Sequence, residues 1–238
     1  GQVVTMDDLV LTDGIYYKKF TTVPFTGEVT GQSQGRIKDG KRDGPWVIFY
    51  DQGQLGLKGA YKDGKRDGPW VRYHDNGQTR YQGTYKDGEK DGPWKTYYKN
   101  GQLELIGTLK NGKKDGPWGR YWDNGQIKAK GTFKNGKKDG PWEQYGKNGQ
   151  LELKEFYKGD VLDGPWVGYL TNGQIYSKGN YKDGKMDGPW VKHHYNGQLW
   201  WKGTWKDGKK FGPWVGYNKD GTVWENFTGT FKSGVKVK

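Results

Sequence analysis

Three histidines, His74, His193 and His194, are the side chains best suited to acid–base or metal chemistry at neutral pH. Their setting argues against both. His74 and His194 fill a slot that other copies of a recurring pattern give to Tyr50, Tyr98 and Trp122, and His193 fills the slot of Phe49 and Tyr73. No two-histidine-plus-carboxylate spacing, Gly-x-Ser-x-Gly elbow or phosphate-binding loop occurs. There is no cysteine, which excludes disulfides and thiolate-bound metals. Catalysis needs a few unlike groups converging in a pocket, and this chain offers like groups in rows. The expectation is a non-enzyme, with no catalytic residue, no metal site and no cofactor.

The rows themselves suggest binding. Lys62, Lys86, Lys110, Lys134, Lys158, Lys182 and Lys206 recur at one position. With two strands per repeat they would stand about 9–10 Å apart, a ladder that could follow an anionic polymer. A net charge of +13 points the same way. The alternative, which we favour, is a solvated face that keeps an open sheet soluble. Asp43, Asp67, Asp91, Asp115, Asp139, Asp163 and Asp187 form a second row, in turns where a carboxylate caps its own backbone. Aromatic residues outside the repeating template are the better contact candidates: Tyr81, Trp122, Tyr176, Trp200, Trp201 and Trp224. The densest patch runs from Trp200 and Trp201 to Trp205, and exposed apolar patches mark partner surfaces.

The element that must position these side chains is Gly-Pro-Trp. It places Trp46, Trp70, Trp94, Trp118, Trp142, Trp166, Trp190 and Trp214 at a constant interval of 24 residues. Such a period signals a repeat array. Each unit reads as two short strands with two glycine turns. Pro45 suits the first residue of a strand, and Trp46 to Tyr50 is rich in β-formers. Asn76-Gly77 is typical of the first turn and suggests a type I′ hairpin, with both central residues at positive φ. A two-residue loop at Gln52-Gly53 would set Trp46 opposite Gly59 and Tyr50 opposite Leu55. One face then carries Trp46, Tyr50, Leu55, Leu57, Gly59 and Tyr61, and the other Val47, Phe49, Lys58, Ala60 and Lys62. An indole can lie over a bare glycine backbone, and the pairing recurs at Gly83, Gly107, Gly131, Gly179 and Gly203. In the fifth copy Glu155 replaces the glycine and the second turn reads Gly159-Asp160, so a bulge or distortion is expected there.

The unit resembles MORN repeats, and more closely the variant MORN repeats of bacterial YwqK-like proteins. Asn76-Gly77-Gln78, Gly83-Thr84-Tyr85-Lys86-Asp87-Gly88 and Asp91-Gly92-Pro93-Trp94 carry the likeness, which runs over about residues 35 to 234. It implies hairpins joined edge to edge in a long, twisted, single-layer sheet, and roles in binding and scaffolding. Tyr16 to Phe20 and Val23 to Gly27 also resemble the lead-in of such proteins, many of which carry export signals. The resemblance thus implies a periplasmic, cell-surface or secreted protein.

Together these readings give an all-β, elongated, open array: a twisted antiparallel meander of stacked hairpins. Residues 1–34 form a lead-in and cap strands, 35–223 the array and 224–238 a C-terminal cap. About sixteen strands would make a ribbon of roughly 80 Å, and twist would turn the tryptophan face into a groove. The apolar fraction, 31%, is low for a globule, but the aromatics, 16%, recur in register and argue against disorder. No apolar run is long enough to span a membrane as a helix. The function expected is a scaffold presenting an aromatic and lysine-rich surface to a protein partner. A glycan or envelope component, or an anionic polymer or lipid, is the alternative. Sheet edges offer a route to oligomers.

Overall fold

The computed structural model describes residues 2–238, which divide into two compact units between Asp115 and Gly116. Strands hold 64% of the chain. Among the described residues the only helical pieces are two 3-10 turns, Met6–Asp8 and Glu225–Phe227. Each unit is an open, single-layer array of hairpins.

In the N-terminal unit, Gln2–Val4 runs parallel to Gly27–Val29, and Leu9–Thr12 forms a small hairpin with Ile15–Lys18. Val4, Leu9, Phe25, Val29 and Ile37 close over Trp46. They give the first repeat the apolar neighbour that later repeats take from one another. From there the meander is regular. Lys41–Phe49 pairs with Leu55–Lys62, which pairs onward with Gly68–Tyr73, Thr79–Lys86, Glu89–Tyr97 and Leu103–Lys110 in succession.

The C-terminal unit continues the scheme by itself, from Gly116–Tyr121 and Ile127–Lys134 to Lys209–Gly216. Gly229–Lys232 and Val235–Lys236 complete it. Its closing turn brings Phe227 onto Trp214, with ring centres 5.5 Å apart, and stacks Trp224 on Phe227 at 4.5 Å.

The turns differ from the sequence reading. The first is a three-residue loop: Tyr50 N–H donates to Gln54 O, and only Gly53 has positive φ. This is a type I turn closed by a left-handed glycine. Asn76 does not adopt positive φ; its Oδ1 accepts from the Gln78 N–H two residues on, at 3.0 Å. The type I′ geometry belongs to the second turn, where Asp63 and Gly64 lie at φ 51° and 78°. The longer first loop is offset by a bulge at Gly56. Trp46 therefore faces Gly59, as expected, while Leu55 faces Phe49 and moves to the face opposite the tryptophans.

The second correction concerns where the indoles rest. Register pairs Trp118 with Gly131 and Trp190 with Gly203. The rings, however, lean the other way, onto the glycine eleven residues earlier. Trp46 covers Gly35, Trp70 covers Gly59 and Trp94 covers Gly83; in the C-terminal unit Trp142 covers Gly131, Trp190 covers Gly179 and Trp214 covers Gly203. A Cβ at any of these glycines would overlap the ring. The lean also brings the indole N–H to a carbonyl of the same preceding strand, as in Trp70 to Ala60 O at 3.2 Å and Trp190 to Asn180 O at 3.0 Å. One such bond contributes about 1 kcal/mol. Within each unit these tryptophans thus tie their own hairpin to the one before it.

Glu155 adds no extra bulge, but the backbone of the adjoining strand is distorted as expected: Gly164 lies at φ 138°, where its seven counterparts lie between 71° and 96°. Trp142 still faces Glu155 with the same local bulge as its counterparts, and Gly159-Asp160 makes the same positive-φ turn with its residues exchanged. The consequence falls on Trp166, the ring that would otherwise cover position 155. It alone of the eight Gly-Pro-Trp tryptophans is not buried.

Candidate functional site

On the tryptophan face the indoles pack against neighbouring aromatic side chains. Between several successive indoles sits an aromatic ring from the return strand, edge-on to both. Tyr61 lies 6.2 Å from Trp46 and 5.2 Å from Trp70, and Phe133 lies 5.8 Å from Trp118 and 5.0 Å from Trp142. Such pairs add about 0.5–1.5 kcal/mol each beyond burial. In six of the eight copies a cation stands four residues before the tryptophan, and it caps several of the rings, as with Arg66 over Trp70 at 4.4 Å and Lys90 over Trp94 at 4.3 Å. Burial works against the Arg66 charge, but hydrogen bonds to Tyr61 and Tyr85 outweigh it and hold the guanidinium above its usual range. Burial lowers Lys210, which packs on Trp214, Phe227 and Phe231.

Many of the candidate contact aromatics belong to this packing. Tyr81 stacks on Trp94 at 5.2 Å, and Trp201, 8% exposed, lies tilted on Trp214 at 5.3 Å. Trp205 occupies the slot of Tyr61 and meets Trp214 edge-on at 5.1 Å. Trp122 donates its indole N–H to Tyr145 O at 3.0 Å. His74 and His194 use the same slot in the same way: each Nε2 lies 2.8 Å from a carbonyl oxygen, of Tyr97 and Tyr217 respectively. A carbonyl can only accept, so both rings carry the proton on Nε2. Trp200 stacks on His194 at 4.9 Å and is half-buried. Tyr176 stands edge-on to Trp166.

Open space lies on both faces. In the N-terminal unit a cleft of about 570 Å³ lies on the tryptophan face, lined by Tyr81, Tyr85, Trp94, Thr96 and Glu104, so the groove expected over the tryptophans is formed there only locally. In the C-terminal unit a groove of about 730 Å³ runs behind them, across three consecutive Gly-Pro-Trp copies. Its walls are Pro165, Pro189 and Pro213 with Val191 and Val215; Lys178 and Lys202 stand on its rim, and the backbone at Gly179 and Gly203 forms its floor. Register explains the set: Val191 faces Lys178 on one side and Lys202 on the other, and Pro189 faces Thr204. The N-terminal unit repeats the arrangement on a smaller scale, about 310 Å³, with Pro69, Pro93, Val71, Gln82, Thr84 and Lys95. The sequence signal was present in the Pro-Trp-Val spacing, which puts Pro and Val on the side the tryptophan leaves.

The lysine row stays exposed on one margin. Lys62, Lys86, Lys110 and Lys134 are all exposed. Lys62 directly faces Lys65, Lys110 faces Lys113 and Lys134 faces Lys137 across the second turn. Among the described residues no three His, Asp or Glu side chains gather closely enough to hold a metal ion, and no helix is long and apolar enough to cross a membrane.

Comparison with known families matches five stretches of the chain, residues 66–87, 90–111, 114–135, 138–158 and 162–183, to the MORN repeat variant. No curated protein matches the chain. Among solved structures, a chain in the crystal structure of TcdB2-TccC3-Cdc42 overlaps 88% of this chain at 12% identity with a TM-score of 0.20. This chain spans 13% of the length of that one.

Proposed function

We propose that this array of MORN repeat variants is a non-enzymatic, exported binding module that holds an extended segment of a protein partner in the groove behind its tryptophans. The observation that carries the reading is the Pro165, Pro189, Pro213, Val191 and Val215 surface, apolar at its centre and bordered by Lys178 and Lys202. Its volume is in the range of ligand-binding clefts. Its backbone groups are already committed to the sheet, so recognition falls to side chains. A partner segment with apolar residues flanked by carboxylates fits that chemistry. A photo-crosslinker at Val191 or Val215 should capture one defined protein, and Val215→Glu should abolish the capture. Equal capture from position 62, on the lysine margin, would count against the reading.

The lysine margin favours a second reading, an anionic polymer or lipid surface. Facing lysines such as Lys62 and Lys65 repel one another, and an anion would relieve that repulsion. Retention on a heparin column that falls steeply with salt and weakens with Lys62→Gln and Lys110→Gln would support it. Salt-independent behaviour would remove it.

A further inference from the structure

We propose that the tryptophan face of the C-terminal unit carries a second site, for an arginine or lysine side chain of a protein partner, seated on Trp166 and balanced by Glu155. It lies on the face opposite the groove and does not depend on it.

The inference comes from what the repeat leaves out. In both units an internal cation four residues before the tryptophan lies on the indole, as with Arg42 over Trp46 at 4.8 Å, Lys138 over Trp142 at 4.7 Å and Lys210 over Trp214 at 4.9 Å. At Trp166 and Trp190 that position holds Leu162 and Met186. These two rings therefore lack the template's internal cation. The same place gains a carboxylate, since Glu155 stands where the template has glycine. Two positive charges are withdrawn and one negative charge is inserted, on one patch of a chain whose net charge is +13.

The carboxylate is held but not neutralised. Glu155 is 9% exposed, and Gln144 Nε2 donates to it at 3.1 Å. Tyr157 also bonds to it; burial first, then the Glu155 charge and that bond, push the tyrosine hydroxyl up to about 12. Both partners are neutral donors, and among the described residues no cation forms an ion pair with Glu155. A buried charge left in this state is costly, and a cation brought alongside recovers part of that cost.

Trp166 supplies the seat. It is tilted against Trp190 at 5.6 Å, with Tyr176 edge-on at 6.4 Å and Tyr181 at 6.5 Å. Gly168 leaves the room that Tyr176 and Trp166 fill. A partly exposed indole flanked by two tyrosines and a carboxylate is suited to an organic cation. A guanidinium or ammonium group can also donate hydrogen bonds to Glu155, which a quaternary ammonium cannot. That difference selects a basic side chain.

The test is a titration of the ¹⁵N-labelled full chain, reading indole N–H resonances, with the Trp166 signal assigned by Trp166→Phe. The probes are N-acetyl-arginine amide, N-acetyl-lysine amide and tetramethylammonium, at constant ionic strength. We expect a saturable shift at Trp166 and Trp190 with the two amides, a weaker one with tetramethylammonium, and none at Trp46, which Arg42 already covers. Leu162→Lys and Glu155→Gly each restore the residue that the template carries, so both variants should fold. Each should weaken amide binding by about fivefold or more. Val215→Glu, in the groove, should bind the amides unchanged. No saturable shift in the parent chain, undiminished binding in Leu162→Lys, or a response to tetramethylammonium alone would overturn the proposal.

Discussion

The indole of Trp190 rests on the backbone of Gly179 and not on Gly203, its partner in register. The contact is too close to admit a side chain. Gly179→Ala should therefore destabilise the C-terminal unit by about 1–3 kcal/mol, the usual cost of overpacking. Thermal unfolding measures it; an unchanged melting temperature would show that the ring has other room.

Buried and displaced tryptophans should differ in what their removal costs. Trp190, 3% exposed and bonded to Asn180 O, should lose about 3–5 kcal/mol on conversion to alanine. Trp166→Ala should cost clearly less, because that ring is only partly buried and covers no glycine. Paired denaturant melts of the two variants decide the point.

Glu155→Gly should stabilise the protein. The substitution removes a buried carboxylate without an ion pair and lets Trp166 settle onto bare backbone like its counterparts. A gain of about 1 kcal/mol or more is expected, read as a higher denaturant midpoint. A loss would mean that Gln144 and Tyr157 stabilise the charge more than burial penalises it.

Alkaline pH should weaken the fold through Tyr157. Its folded hydroxyl is raised from 10.0 to about 12, by burial first and then by Glu155. Between those values the folded state holds a proton that the unfolded chain has released, so stability falls as pH rises from about 10 to about 12. Melting temperatures across that window should fall more steeply for the parent chain than for Tyr157→Phe.

Lys65→Glu should stabilise the N-terminal unit by about 0.2–1 kcal/mol, because Lys62 and Lys65 face each other directly. The chain itself contains the complementary version, Lys86 facing Glu89. The gain should shrink as salt is added.

The hairpin array was legible because Gly-Pro-Trp recurs without a slip, and the pairing of Trp46 with Gly59 followed from counting back from the turn. What counting could not supply was the direction in which a ring leans. Trp190 has a bare glycine on both flanks, Gly203 in register and Gly179 behind, and the choice is made by the carbonyl of Asn180 within reach of its N–H. The same limit hid the groove: with the rings drawn toward the preceding strand, the free volume passes to Pro189 and Val191. Asn76-Gly77 misled because asparagine can satisfy a turn through its side chain, as its bond from Gln78 shows, without entering left-handed backbone. Trp122 and Trp201 stood out as departures from the template, yet they join its packing. The cations over the indoles were missed because Arg66 and Lys90 read as ordinary surface charge until a ring is found beneath them.

Because the buried indoles within each unit reach backwards, each unit has a head and a tail that are not interchangeable. Trimming repeats from the C-terminal side uncovers a glycine, which water can cover at little cost. Trimming from the N-terminal side strands a tryptophan with nothing beneath it. Shortened proteins lacking leading repeats should therefore clump or melt sooner than those lacking the same number of trailing ones, and new repeats are best grafted at the trailing end.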